Sequence, residues 1–252
     1  MTAIVLLVFI PYALGFMGFN IGVHLKVYTY APALLGYCVF LLLVLALVHG
    51  KNALKSIGLD RNIGKAFLFA LVCTVPMFLM SACTGKIDSS RFSSLYKFVY
   101  LLNMTVAAGF CEEFCLRGFL FGQLFRYCKW GYVPALLLEA VVFGAGHLYQ
   151  GYDLLSSASV FLVTALGALF FSWVYVESGY NLWTSIFLHT LMNLSWLLFT
   201  TDHFGAVGNV LGKVARVVTV GLAIGWIIWQ KKKHGVPFVI NKNNWWVSEL
   251  EA

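Results

Sequence analysis

The sequence predicts an all-α fold, a polytopic membrane bundle of about eight transmembrane helices forming a single domain over residues 1–252. Hydrophobic residues make up 61% of the chain and charged residues only 11%, where a soluble domain carries about 25% charged residues. Mean hydropathy is +0.84. Runs of roughly 20 apolar residues, each long enough for a hydrocarbon core about 30 Å thick, recur along the whole length.

The first three runs, Ala3 to Val23, Ala31 to Val48 and Ala66 to Ala82, are separated by short polar stretches holding His24, Lys26, Lys51, Lys55, Arg61 and Lys65. They read as lipid-facing helices. No basic segment or distinctive small-residue cleavage site accompanies the first run, so it is expected to be a retained span. A fourth run, Phe98 to Phe125, is interrupted at its centre by Glu112, Glu113 and Arg117. Four more follow: Tyr132 to His147, Ser157 to Val176, Leu182 to Thr200, and Val210 to about Trp229. Asp153 and Glu177 fall between runs and read as loop residues. A short polar tail begins near residue 230 with a Lys triplet and carries Trp245 and Trp246, which suit the headgroup zone.

Eight spans put both termini on one side. That side holds ten Lys and Arg residues (Lys51, Lys55, Arg61, Lys65, Arg126, Lys129, Lys231, Lys232, Lys233, Lys242) against six on the other (Lys26, Lys86, Arg91, Lys97, Lys213, Arg216). The positive-inside rule then favours cytoplasmic termini, in a membrane of bacterial cytoplasmic type. The formal charge of +7 is scattered between the runs rather than gathered in a stripe, which argues for lipid headgroups and against nucleic acid as a partner. The six cysteines show neither a CxxC pair nor zinc-ribbon spacing and read as small buried hydrophobes.

Charge at membrane depth is the informative feature. A central charge raises the cost of helix insertion by about 2.5 to 3.5 kcal/mol, so three in one helix need partners or a wet cavity. Glu113 and Arg117 stand four residues apart on one face, while Glu112 points about 100° away. A buried Glu–Arg staple is one reading of the first pair; Glu112 stays available for chemistry. The fifth run ends F-G-A-G-H, setting Phe143 one turn before His147. The seventh carries H-T-L-M-N, with His189 and Asn193 on one face. Either could be interhelical glue. Three helices each placing polar groups at depth are better explained by one shared site. Peptide hydrolysis needs a base for water, a second proton carrier and oxyanion donors, and these residue types supply all three. Neither a G-x-S-x-G elbow nor an H-E-x-x-H helix is present.

These ordered blocks, Glu112-Glu113 with Arg117, Phe143 with His147, and His189 with Asn193, resemble the signature of the CAAX protease and bacteriocin-processing (Abi) family over roughly Phe98 to Thr200. The resemblance implies an intramembrane endopeptidase similar to the type II CAAX prenyl endopeptidase, acting on a membrane-associated protein or peptide. It further implies that Glu112 and His147 activate water, that His189 and Asn193 form the oxyanion site, and that Glu113 and Arg117 support them. No cofactor follows firmly; a divalent metal such as zinc is an option, with Glu112, His147 and His189 as its ligands. Glu139, one turn before Phe143, departs from the apolar or small residue expected there, and either tunes His147, serves a particular substrate, or is a paired or snorkelling glutamate. Two other classes stay open: a non-catalytic immunity or partner-stabilising protein, for which Glu112 would be dispensable, and an ion-coupled transporter, whose internal symmetry is not visible in the sequence.

Overall fold

The computed structural model describes residues 1–7, 9, 27–200 and 210–248, with backbone alone over 27–34. Residues 2–7 are helical; the rest of the expected first span lies almost wholly outside the described residues. The helices that follow are α1 (Val27–His49), the short α2 (Ala53–Ile57), α3 (Ile63–Thr84), α4 (Leu95–Tyr127), α5 (Tyr132–Gly146), α6 (Leu154–Glu177), α7 (Leu182–Leu197) and α8 (Val210–His234). Among the described residues there is no strand, only isolated bridges joining Ile87 to Phe199 and Trp130 to Val247. The all-α membrane bundle is therefore as predicted. Among the described residues, six stretches are long and apolar enough to cross a bilayer. Of the expected spans that fall on those residues the exception is α7, whose 16 residues rise roughly 24 Å, less than the hydrocarbon thickness. It is an inner helix, packed against α3 and α4.

Local chemistry sets the helix ends. Asn62 and Ser94 accept from the backbone N–H three residues on and start α3 and α4. Asp153 is an N-cap rather than an inert loop residue: it accepts from Ser156 N at 2.7 Å, while Ser156 Oγ accepts from Asp153 N at 2.9 Å. These bonds from Ser156 hold its carboxyl below the usual range. Glu177 also departs from the loop reading. It is the last residue of α6, buried, and paired with Lys231 Nζ at 2.9 Å. The Lys triplet belongs to the last turn of α8, not to the tail, because Lys231 has this buried partner. All six cysteines are free thiols; Cys38, Cys73, Cys111 and Cys115 are buried, whereas Cys83 is exposed.

The core has two lobes. One joins α4, with Phe114, Phe119, Phe121 and Phe125, to Leu41 and Leu45 of α1, Ala140 and Phe143 of α5 and Tyr175 of α6. The other joins α3, α6, α7 and α8 around Cys73, Met77, Val174, Leu188 and Ala223. Helix α4 lies between them and is not uniformly α-helical: Asn103–Ala107 and Phe114–Phe121 are π-helical. Such widened turns need local compensation and concentrate at functional sites. The six α-helical residues between them contain Glu112 and Glu113.

The crossing of α4 and α7 is the closest approach relevant to those glutamates. A Cβ on Gly109 would lie 2.2 Å from Thr190 Oγ1 and 3.0 Å from Thr190 N, so only glycine lets the backbones meet there. Gly109→Ala should lower stability by about 1–3 kcal/mol, the usual cost of overpacking. Adding Thr190→Ala should recover part of the loss, because it removes the hydroxyl but not the backbone contact. Thermal unfolding in detergent checks both variants.

Candidate intramembrane site

Glu112 and Glu113 sit midway along α4, both buried, and α7 brings His189 against them. His189 Nδ1 lies 2.8 Å from Glu113 Oε1, a hydrogen bond that the ring donates to the carboxylate. Its other nitrogen, Nε2, lies 3.8 Å from Glu112 Oε2. The imidazole is thus held between two carboxylates, and Glu113 sets which nitrogen faces Glu112. Phe171 of α6 stacks on the ring at a centroid distance of 5.2 Å and 21°, and Phe143 meets it edge-on at 6.5 Å.

Behind Glu113 stands Arg117, without solvent exposure. Its Nη1 is 3.3 Å from Glu113 Oε1 and its Nε is 2.9 Å from Glu139 Oε1. The guanidinium carbon lies 4.6 Å from the Phe143 ring centroid and 5.3 Å from that of Phe171. Glu139 is the second acid of this pair; its other oxygen accepts from Ser172 Oγ at 2.5 Å. The unexpected glutamate is therefore a paired one, required because a guanidinium cannot shed its charge. The resulting chain runs Ser172, Glu139, Arg117, Glu113, His189, and ends at Glu112. At that end Glu112 Oε2 is buried and accepts no hydrogen bond among the described residues.

The remaining predicted residues flank this chain. His147 caps the C-terminal end of α5, where Nδ1 donates to Phe143 O at 2.8 Å and the ring packs 4.5 Å from Phe143. Its position at the helix end makes it half-buried rather than deep. Asn193, one turn beyond His189, donates Nδ2 to Met104 O at 3.1 Å. That carbonyl lies in the first π-helical segment, so Asn193 satisfies part of the widened turn. Sequence reasoning missed Phe171 and Ser172. Ser172 had a faint signal, a hydroxyl within an apolar run; Phe171 had none, since an aromatic there reads as core.

The proposed metal ligands do not fit one ion as they stand. Among the described residues, no group of three or more His, Cys, Asp or Glu side chains is arranged to hold a metal.

Residues 94–195 match the family model described as "Type II CAAX prenyl endopeptidase Rce1-like". The matched segment runs from the N-cap of α4 into α7, the elements that carry the buried acids and histidines. No curated protein and no solved structure matches the chain. The fold and the charge-bearing helices define a multi-pass membrane protein with an ionisable site at depth. Over that segment the chain is similar to the CAAX protease family, a family of membrane proteases.

Removing Arg117 would leave Glu113 and Glu139 buried without a counter-charge. Arg117→Met should therefore destabilise the protein by about 3–5 kcal/mol, as breaking buried pairs does. The double variant Arg117→Met with Glu139→Gln should regain part of that loss. Folded yield and melting temperature of the three proteins measure it.

Proposed function

We propose that this protein is an intramembrane endopeptidase that hydrolyses a peptide bond in a membrane-associated protein or peptide, with Glu112 as the base. The observation that carries this reading is the contrast between the two adjacent glutamates. Glu113 is committed through Oε1 to both Arg117 and His189 Nδ1, whereas Glu112 makes neither contact: its buried Oε2 faces His189 Nε2 at 3.8 Å without a hydrogen-bond donor among the described residues. A water in contact with both Glu112 Oε2 and an imidazole nitrogen can give its proton to the carboxylate as its oxygen attacks the scissile carbonyl carbon.

His147 serves on the same side of the reaction. With Nδ1–H donated to Phe143 O, its Nε2 is left as the proton acceptor, and it assists Glu112 in managing the water. His189 serves the oxyanion. Glu113 holds Nδ1–H, so a second proton on the ring sits at Nε2 and points toward the reacting centre. Asn193 retains its second amide hydrogen while binding Met104 O, and supplies the other donor. The tetrahedral intermediate collapses as Glu112 returns the proton to the leaving nitrogen. The C–N bond breaks, releasing a carboxylate and an amine. The family match supports the reaction class. The substrate in this reading reaches the site through the bilayer or its surface, and the termini lie on the cytoplasmic side.

Glu112→Gln keeps the size and the fold and removes the base, and should lower turnover by about 10²–10⁴-fold at unchanged melting temperature. Glu113→Gln should lower both, because it leaves Arg117 half-paired. Cleavage of a reporter peptide in detergent or liposomes, run beside thermal unfolding, reads the two effects. Near-normal turnover in Glu112→Gln, with a folded but inactive Glu113→Gln, would reverse the assignment.

A further inference from the structure

The buried acid that the reaction does not use is Glu177, and its contacts lead to the start of α5. Helix α5 has no side-chain cap. Its first amides, Gly131 N, Tyr132 N and Val133 N, instead donate to the carbonyls of Trp246, Asn244 and Trp245 at 3.1, 2.8 and 2.9 Å. The tail thus supplies what an N-cap side chain supplies elsewhere. Ser248 N adds a bond to Lys129 O at 3.0 Å. Gly131 is required for this seating, since a Cβ there would lie 2.1 Å from Trp246 C.

The strap is secured at its other end by Glu177. The carboxylate accepts from Val239 N at 3.1 Å and Ile240 N at 2.8 Å, while Lys231 Nζ pairs with it at 2.9 Å and donates to Pro237 O at 2.9 Å. Between the two ends, the buried Asn244 donates Nδ2 to Val239 O at 2.7 Å. One segment therefore ties the ends of α6 and α8 to the beginning of α5.

We infer that Glu177 and the strap 235–248 are a positioning device for the site, holding α5 so that Glu139, Phe143 and His147 meet α4. Glu139 pairs with Arg117 from α5, Phe143 lies against Arg117 and His189, and His147 caps the far end of the same helix. A shift of α5 along or about its axis displaces all three together. Misplacement by about 1 Å is enough to cost roughly 100-fold in rate where groups must be aligned. The effect on turnover rests on the proposed peptidase reading; the seating of α5 does not.

The test uses the full chain in detergent with Glu177→Gln, which removes the charge that gathers the strap, and Gly131→Ala, which blocks its seat. Lys231→Arg retains the cation and serves as the conservative control. Hydrogen exchange in residues 131–147 should accelerate about tenfold or more in the first two variants, with 95–127 unchanged, while Lys231→Arg stays near wild type. In the same samples kcat for a reporter peptide should fall about tenfold or more with KM little changed. Unchanged exchange over 131–147 in both variants overturns the strap as the holder of α5. Faster exchange with unaltered kcat in a cleaving protein overturns its positioning role. A wild-type chain that cleaves nothing defeats the peptidase reading alone, and the exchange result still decides the strap.

Discussion

A guanidinium placed at membrane depth stays charged, and the surrounding helices must be built to neutralise it. Arg117 meets that constraint with two acids from two helices and two aromatic faces. Glu113 comes from its own helix, Glu139 and Phe143 from α5, and Phe171 from α6. The pairing therefore draws three helices to one point. The same Glu113 oxygen that meets Arg117 also accepts from His189 Nδ1, which brings in the fourth helix, α7. The arrangement of α4 through α7 follows from giving one buried cation its partners.

The same chain of contacts separates the roles of neighbouring residues that are chemically identical. Glu112 and Glu113 are adjacent in sequence, yet helix geometry turns one toward the Arg117 network and leaves the other at its open end. The imidazole between them relays this difference, because Glu113 fixes the proton on Nδ1 and thereby determines what Nε2 offers to Glu112. Each glutamate buries one oxygen without a donor among the described residues, so what distinguishes Glu112 is that no guanidinium meets it.

Backbone irregularity serves the same end. Two π-helical segments bracket the paired glutamates, and the carbonyl of Met104 in the first is taken up by Asn193. Gly109 lets α7 approach between them. Each is a departure from a regular apolar helix that hydrocarbon would tolerate poorly unless neighbouring helices supplied the missing contacts. At the far side of the bundle the C-terminal segment performs a comparable service, completing the hydrogen bonds of a helix that lacks its own cap.

The membrane class, the helical architecture and the charge-bearing helices were legible in the sequence, because hydropathy over 20 residues is a local quantity and a charge inside such a run is visible without a fold. The ordered blocks on α4, α5 and α7 named Glu112, Glu113, Arg117, His147 and His189 for the same reason. What lay beyond local pattern was partnership. Glu139 looked out of place until Arg117 was found beside it, Glu177 read as a loop residue until Lys231 and the strap enclosed it, and Asn193 turned to a carbonyl on α4. Phe171 carried no polar signal, although it lies against both His189 and Arg117. Sequence by itself determined which residues are too polar for lipid. Only tertiary structure decided which of them satisfy one another, because ion pairing and hydrogen bonding between helices depend on distances across the bundle that no spacing along the chain encodes.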